Sequence, residues 1–151
     1  RLQGFLQCFT PTEQAALQAL IHVGPPQAGF GGDAFRRIMA ADMPPTALVL
    51  ASPRYAMSIL LAAKEKNIRI PDDLSLVTYG DVSWSSLLEM KLTYISLPEK
   101  QIADACVAII ERLMNQDQTL TPEAFYASTE SQIFTPLLVA GDSTKALIAR
   151  R

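Results

Sequence analysis

Apolar positions change period several times along the 151 residues, and each change marks an element. Leu2, Phe5, Leu6 and Phe9 recur at helical spacing, which predicts a short helix over Arg1–Phe9. Thr10-Pro11 closes it or opens a new turn, because Thr caps and Pro suits a first helical position. The run Ala15–Val23 is ambiguous between helix end and strand, and Ala19–Val23 reads as a strand. Breakers fill Gly24–Gly32, which reads as a loop. Asp33 is expected to cap a helix reaching about Ala41, with Phe35, Ile38 and Met39 inward and Arg36 and Arg37 outward.

A second stretch is more regular. Ala47–Ala51 reads as a buried strand and Arg54–Lys66 as a helix with Pro53 at its first turn. Ile70-Pro71-Asp72-Asp73 turns the chain into a strand, Leu74–Tyr79. A polar-aromatic loop, Gly80–Met90, separates it from a strand at Leu92–Leu97. Pro98 opens a helix to about Asn115 with an apolar stripe of Ile102, Cys106, Ile109, Ile110 and Leu113. A polar loop (Gln116–Pro122), two short strands (Ala124–Ala127 and Ile133–Val139) and a polar tail follow. Strands alternating with helices predict an α/β fold with a mainly parallel sheet and helices on both faces, a three-layer αβα arrangement. Ligands of such sheets bind beyond the carboxyl ends of the strands.

Composition narrows the function classes. A hydrophobic content of 49% with 19% charged residues is that of a folded chain. Net charge is −2 and the pI about 5.3, so this segment carries no basic footprint for nucleic acid. No apolar run approaches the roughly 20 residues of a membrane helix. The start, Arg1 rather than Met, lacks the apolar core and cleavage site of a secretion signal, and a fragment of a longer protein is expected. Cys8 and Cys106 lie far apart in apolar helical contexts, so buried free thiols are expected, with neither metal nor cofactor. The sequence shows no P-loop, no GxGxxG and no Ser-His-Asp set, and its one histidine, His22, has no motif partner. No enzyme is read here.

Several motifs then fall into one order. Pro45-Thr46-Ala47 precedes an apolar strand and the pair Ser52-Pro53. The following helix ends in Asn67-Ile68-Arg69-Ile70-Pro71-Asp72-Asp73. Next come Leu74–Val77, Thr78-Tyr79-Gly80-Asp81 and Leu92-Thr93-Tyr94-Ile95. Arg1-Leu2-Gln3-Gly4-Phe5 stands at the start, and Pro136-Leu137-Leu138-Val139 through Ser143-Thr144 near the end. This order resembles the effector-binding core of the lac repressor/galactose repressor family of bacterial transcription regulators. The family's forms are R-x-x-G-aromatic, PTA, G-x-x-I/V-P-x-D, G-F/Y-x-D, L-T-T-I/V and P-x-L-V-x-x-x-S/T-T. The resemblance implies a periplasmic-binding-protein-like type I core, of which this chain is the C-terminal lobe. Residues 1–96 would form that lobe, 97–135 would cross back to pack on an absent N-terminal lobe, and 136–151 would return as a strand and tail.

The resemblance also assigns candidate residues. Arg1 matches an arginine that points into the interlobe cleft, and a guanidinium fork suits vicinal oxygens, carboxylate or phosphate. Ser52 stands where many members carry Asn, and Gly80 where many sugar binders carry Asp, an acceptor for sugar hydroxyls. The Tyr79-Gly80-Asp81 form resembles fructose-type and gluconate-type members instead. A carboxylate about 5 Å from a phosphate would repel it by roughly 3 kcal/mol per unit charge at an effective dielectric near 20, so glycine suits an acidic or phosphorylated sugar. Gly80 alternatively serves a tight turn. Asp81 either contacts the effector or caps the next turn, and Phe30 either stacks on a sugar face or joins the core. Tyr55, Met57, Trp84, Leu87 and Leu88 match the family's dimer face, with Met57 and Leu87 alternatively intradomain. The implied partners are a sugar or sugar-phosphate effector, a second copy in a cytoplasmic homodimer, and operator DNA only through an absent helix-turn-helix headpiece. The rival expectation is a periplasmic sugar-binding protein of a transport system.

Overall fold

The computed structural model describes residues 1–25, 27, 29–115, 121 and 131–146. Its centre is a four-stranded sheet in the order β1 (Ala47–Leu50), β2 (Ser75–Tyr79), β3 (Thr93–Ser96), β4 (Leu137–Val139). β1 pairs parallel with β2, and β2 with β3. Registers Leu50↔Thr78 and Tyr79↔Ile95 bring the carboxyl ends of the first three strands level. The α/β fold with a mainly parallel sheet, expected from the alternating pattern, is present.

After the short helices α1 (Leu2–Leu6) and α2 (Pro11–Leu17), two further helices position the end of β1. α3 (Phe30–Ile38) packs against α4 (Ala56–Glu65), and α4 follows a 3-10 turn at Pro53–Tyr55. α4 buries Ala56, Ile59, Ala62 and Ala63, a stripe of mostly small residues that allows close approach. Around that stripe Phe35, Leu50, Leu74, Leu76, Val82 and Leu92 form the core. Burial of each of the larger side chains contributes about 1.5–3 kcal/mol. α4 ends at Asn67, whose φ of 56° is the left-handed C-terminal turn, with Ile68 N–H donating to Ala63 O at 2.9 Å. Asn tolerates that backbone better than most residues with a side chain. The next turn is closed by Arg69, whose backbone N–H, Nε and Nη2 all donate to the Asp73 carboxylate at 2.9 Å. Those bonds hold the exposed Asp73 carboxyl at about 2, against an ordinary 3.8.

A clasp from the end of the chain locks the opposite, amino ends of β2 and β3. Ser143 is fully buried; its Oγ donates to Leu76 O at 2.6 Å and accepts from Thr93 N–H at 2.8 Å. Leu76 N–H donates to Ser143 O at 2.8 Å, and Asp142 N–H to Lys91 O at 2.7 Å. Gly141 fits only because it has no side chain: a Cβ there would lie 2.5 Å from Lys91 O.

The described residues fall into two compact units, Arg1–Ser96 with the chain from Leu138 onward, and Leu97–Leu137. In the second, α5 (Glu99–Asn115) carries Ile102 and Ile109 half-buried and Val107, Ile110, Leu113 and Met114 exposed.

Several expectations are corrected. Ala19–Val23 is not a strand: Gln18–Leu20 forms a 3-10 turn, Ile21 is extended but unpaired, and Val23 is 81% exposed. Its apolar run finds no hydrogen-bonding neighbour in the sheet. The helix expected from Asp33 to Ala41 runs from Phe30 to Ile38, and Asp33 lies in its first turn paired with Arg36. Gly31 and Gly32 are buried inside it, and a Cβ on Gly31 would lie 2.9 Å from Tyr55 Cβ. Residues that read as breakers are contact residues where α3 touches the start of α4. Cys8 and Cys106 are free thiols but exposed: Cys8 lies in the turn after Leu2–Leu6, and α5, which carries Cys106, buries none of its side chains. The C-terminal strand is shorter than expected, Leu137–Val139, and Ala124–Ala127 lies outside the described residues.

Candidate functional site

The carboxyl ends of β1 and β2 meet one cationic side chain. Arg1 Nη1 donates to Ala51 O at 2.8 Å, and its guanidinium carbon sits 4.3 Å from the centre of the Tyr79 ring. α1 (Leu2–Leu6) begins immediately after Arg1 and so delivers it to that edge. Arg1 makes no ion pair among the described residues, and its remaining N–H donors are exposed.

Ser52 follows Ala51 and is half-buried. Its Oγ accepts from Arg54 N–H at 3.4 Å and so caps the Pro53–Tyr55 turn. The hydroxyl hydrogen stays available as a donor. Gly80 follows Tyr79, with N–H donating to Ile95 O at 3.0 Å. Its φ is 104°, and a Cβ would lie 3.2 Å from Pro53 Cδ. The tight-turn reading of Gly80 accounts for this geometry: it makes a turn that side chains resist, and the Pro53 ring occupies the space a side chain would enter.

Arg1, Ser52 and Gly80 therefore share the strand-end edge. Asp81 is exposed beside them, and it does not cap the next turn, Ser83–Leu87, whose N-cap is Val82 without a side-chain bond. Phe30 is half-buried and packs on Tyr55 with ring centres 5.7 Å apart; a Cβ on Gly24 would lie 2.1 Å from its ring. Packing within the lobe accounts for Phe30. The residue that sequence reasoning did not single out is Tyr79. Its signal was present in strand alternation, which sets Tyr79 on the face opposite Leu76 and Thr78.

The profile of the periplasmic binding protein-like domain matches residues 1–144. The chain belongs to that family. Among curated proteins it is 27% identical over 117 residues to the HTH-type transcriptional repressor PurR of Klebsiella pneumoniae, covering 77% of this chain and 34% of the relative. It is 24% identical over 148 residues to the HTH-type transcriptional repressor CytR of Escherichia coli, covering 97% of this chain and 41% of that protein. A probable opine utilization operon repressor of Rhizobium rhizogenes is 32% identical over 85 residues, covering 56% of this chain and 43% of the relative. The chain thus spans between a third and a half of the length of these relatives. Among solved structures, a putative LacI-family repressor from Corynebacterium glutamicum superposes with a TM-score of 0.68 at 20% identity over 83% of this chain and 45% of its own. A LacI-family regulator from Mycobacterium smegmatis gives 0.65 at 23% identity over 84% and 45%. These likenesses place the fold.

The second candidate surface of this periplasmic binding protein-like domain comprises exposed side chains on α4 and in the Ser83–Leu87 turn. Met57 is 47% and Leu87 87% exposed. Leu61, one helical turn beyond Met57 and 56% exposed, extends the same stripe and was missed in the sequence. Tyr55 faces inward instead: its hydroxyl donates to Gly24 O at 3.1 Å and its ring packs on Phe30. Trp84 is half-buried against the core, and Leu88 is half-buried. Among the described residues no helix is long and apolar enough to cross a membrane.

Proposed function

We propose that this chain is the effector-binding and self-associating portion of a LacI-family transcriptional repressor, and that its effector is an acidic or phosphorylated sugar. One observation carries the effector class. The Arg1 guanidinium is exposed, makes no ion pair among the described residues and stands over the strand ends, where the neighbouring Gly80 supplies no carboxylate. A guanidinium binds carboxylate or phosphate through paired, charge-assisted N–H bonds, and a facing carboxylate would oppose that binding. Ser52 adds a hydroxyl donor on the same edge. The relatives named as transcriptional repressors support the regulator reading over a transport protein or an enzyme.

In this reading the effector acts by binding one arrangement of the two core lobes better than the other. A coupling of about 1–3 kcal/mol changes operator affinity 5–150-fold. Operator DNA is read by a headpiece outside this chain, consistent with the chain's net charge of −2. The stripe Met57–Leu61 with Leu87 forms the centre of the homodimer contact.

Operator affinity of the full-length repressor, measured by fluorescence anisotropy on its own promoter DNA, tests the reading. The titrants are glucose, gluconate, glucose 6-phosphate and fructose 6-phosphate. Anionic sugars are expected to shift the affinity at least fivefold and glucose to leave it unchanged. A response to glucose alone sinks the anionic class, and absence of operator binding sinks the regulator.

A further inference from the structure

The Arg1 side chain is long and exposed, a setting in which a guanidinium ordinarily samples many rotamers. Here two contacts hold it. The parallel register places Leu50 beside Thr78, so the next pair outward sets the Ala51 carbonyl beside Tyr79. The carbonyl takes one Nη1 hydrogen at 2.8 Å, and the Tyr79 ring covers one face of the guanidinium plane at 4.3 Å. Stacking uses the face and leaves the edge donors free, because the five N–H groups lie in the plane. Tyr79 is itself held. Its backbone pairs with Ile95 of β3 at the end of β2, and Gly80 turns the chain away at once with a φ of 104°. The ring therefore stays half-buried at the strand end.

We propose that Tyr79 is the positioning residue of the effector site: its ring fixes the Arg1 fork over the ends of β1 and β2, so that anion recognition depends on an aromatic side chain that acts through the arginine. The inference rests on the proposed effector role of Arg1 and adds to it a second residue and a mechanism, preorganisation. A stacked cation at an exposed site and an immobilised long side chain together correspond to a gain in affinity of about tenfold.

The test uses the full-length protein, with fructose 6-phosphate and inorganic phosphate as probes. Binding is followed by calorimetry, and the Arg1 Nε–Hε resonance by NMR. In the ligand-free wild type that proton is expected to be shifted by the Tyr79 ring current. Tyr79→Leu is expected to abolish the shift and weaken sugar-phosphate binding about tenfold, and Tyr79→Phe to restore both, since the ring and not the hydroxyl does the holding. Arg1→Lys, which touches no core and loses the planar stack, is expected to weaken binding as much, with no further loss in the Arg1→Lys/Tyr79→Leu double variant. Should Tyr79→Leu fold poorly, the ligand-free wild type decides: an Arg1 Nε–Hε proton without a ring-current shift overturns the positioning role. Arg1→Ala separates the two levels. If Arg1→Ala abolishes binding while Tyr79→Leu and Arg1→Lys leave it unchanged, the positioning role falls and the effector site stands. If Arg1→Ala has no effect, or the wild type binds neither probe, the effector-site reading falls and this inference with it.

Discussion

Ser143→Ala tests whether the C-terminal clasp holds the sheet together. Ser143 is fully buried, and its Oγ makes two short bonds, to Leu76 O at 2.6 Å and from Thr93 N–H at 2.8 Å. Removing the oxygen strands a buried amide donor on β3, which costs about 1–3 kcal/mol. It also removes the bond to β2, worth about 0.5–1.5 kcal/mol net. The expected loss is therefore about 1.5–4.5 kcal/mol, a large share of a typical total of 5–15 kcal/mol. The backbone bond from Leu76 N–H to Ser143 O remains, so the segment stays docked but weakened. Urea unfolding is followed by fluorescence of Trp84, the one tryptophan of the sequence, which packs against this core. With a denaturant slope of about 2 kcal/mol per molar, the midpoint falls by about 1–2 M. Ser86→Ala is the control: its hydroxyl bonds only to Ser83 O on the exposed surface, and a change below about 0.5 kcal/mol is expected. A Ser143→Ala midpoint within about 0.2 M of the wild type would refute the clasp, since both lost bonds would then be worth nothing net.

Two further expectations follow from the same geometry. Gly80→Asp, which introduces a carboxylate at the strand end, is expected to lose about 1–3 kcal/mol, because φ is 104° and its Cβ would press on Pro53; unchanged urea stability would show that the turn relaxes without strain. Leu87→Glu in the full-length protein is expected to give monomers in sedimentation while the lobe keeps its stability, since Leu87 is 87% exposed; persistent dimers would move the contact elsewhere.

The element order from Ala47 to Asn115 was legible in the sequence. Its helices and strands are long enough for apolar period and cap chemistry to agree, as at Arg54–Lys66 and Leu74–Tyr79. The same pattern indicated that Ser52 and Gly80 would meet, because parallel strands bring their carboxyl ends to one edge. It also supplied Arg1 as a candidate through resemblance, without saying what would hold it.

Contacts between distant residues settled the rest. Arg1 reaches Ala51 and Tyr79, and Ser143 reaches Leu76 and Thr93, each across 48 or more positions of chain; neither spacing nor propensity encodes such a meeting. Gly31 and Gly32 read as breakers by local preference, yet close approach to Ser58 and Tyr55 made them helix-contact residues. Ala19–Val23 had the composition of a strand and lacked a hydrogen-bonding neighbour. Tyr55 and Trp84 had the composition of an interface and are half-buried against the core, while Leu61 is exposed. Local sequence specifies the backbone period and the ends of elements. Which side chains become partners depends on how the elements pack, since each contact is chosen against every other surface competing for the same side chain.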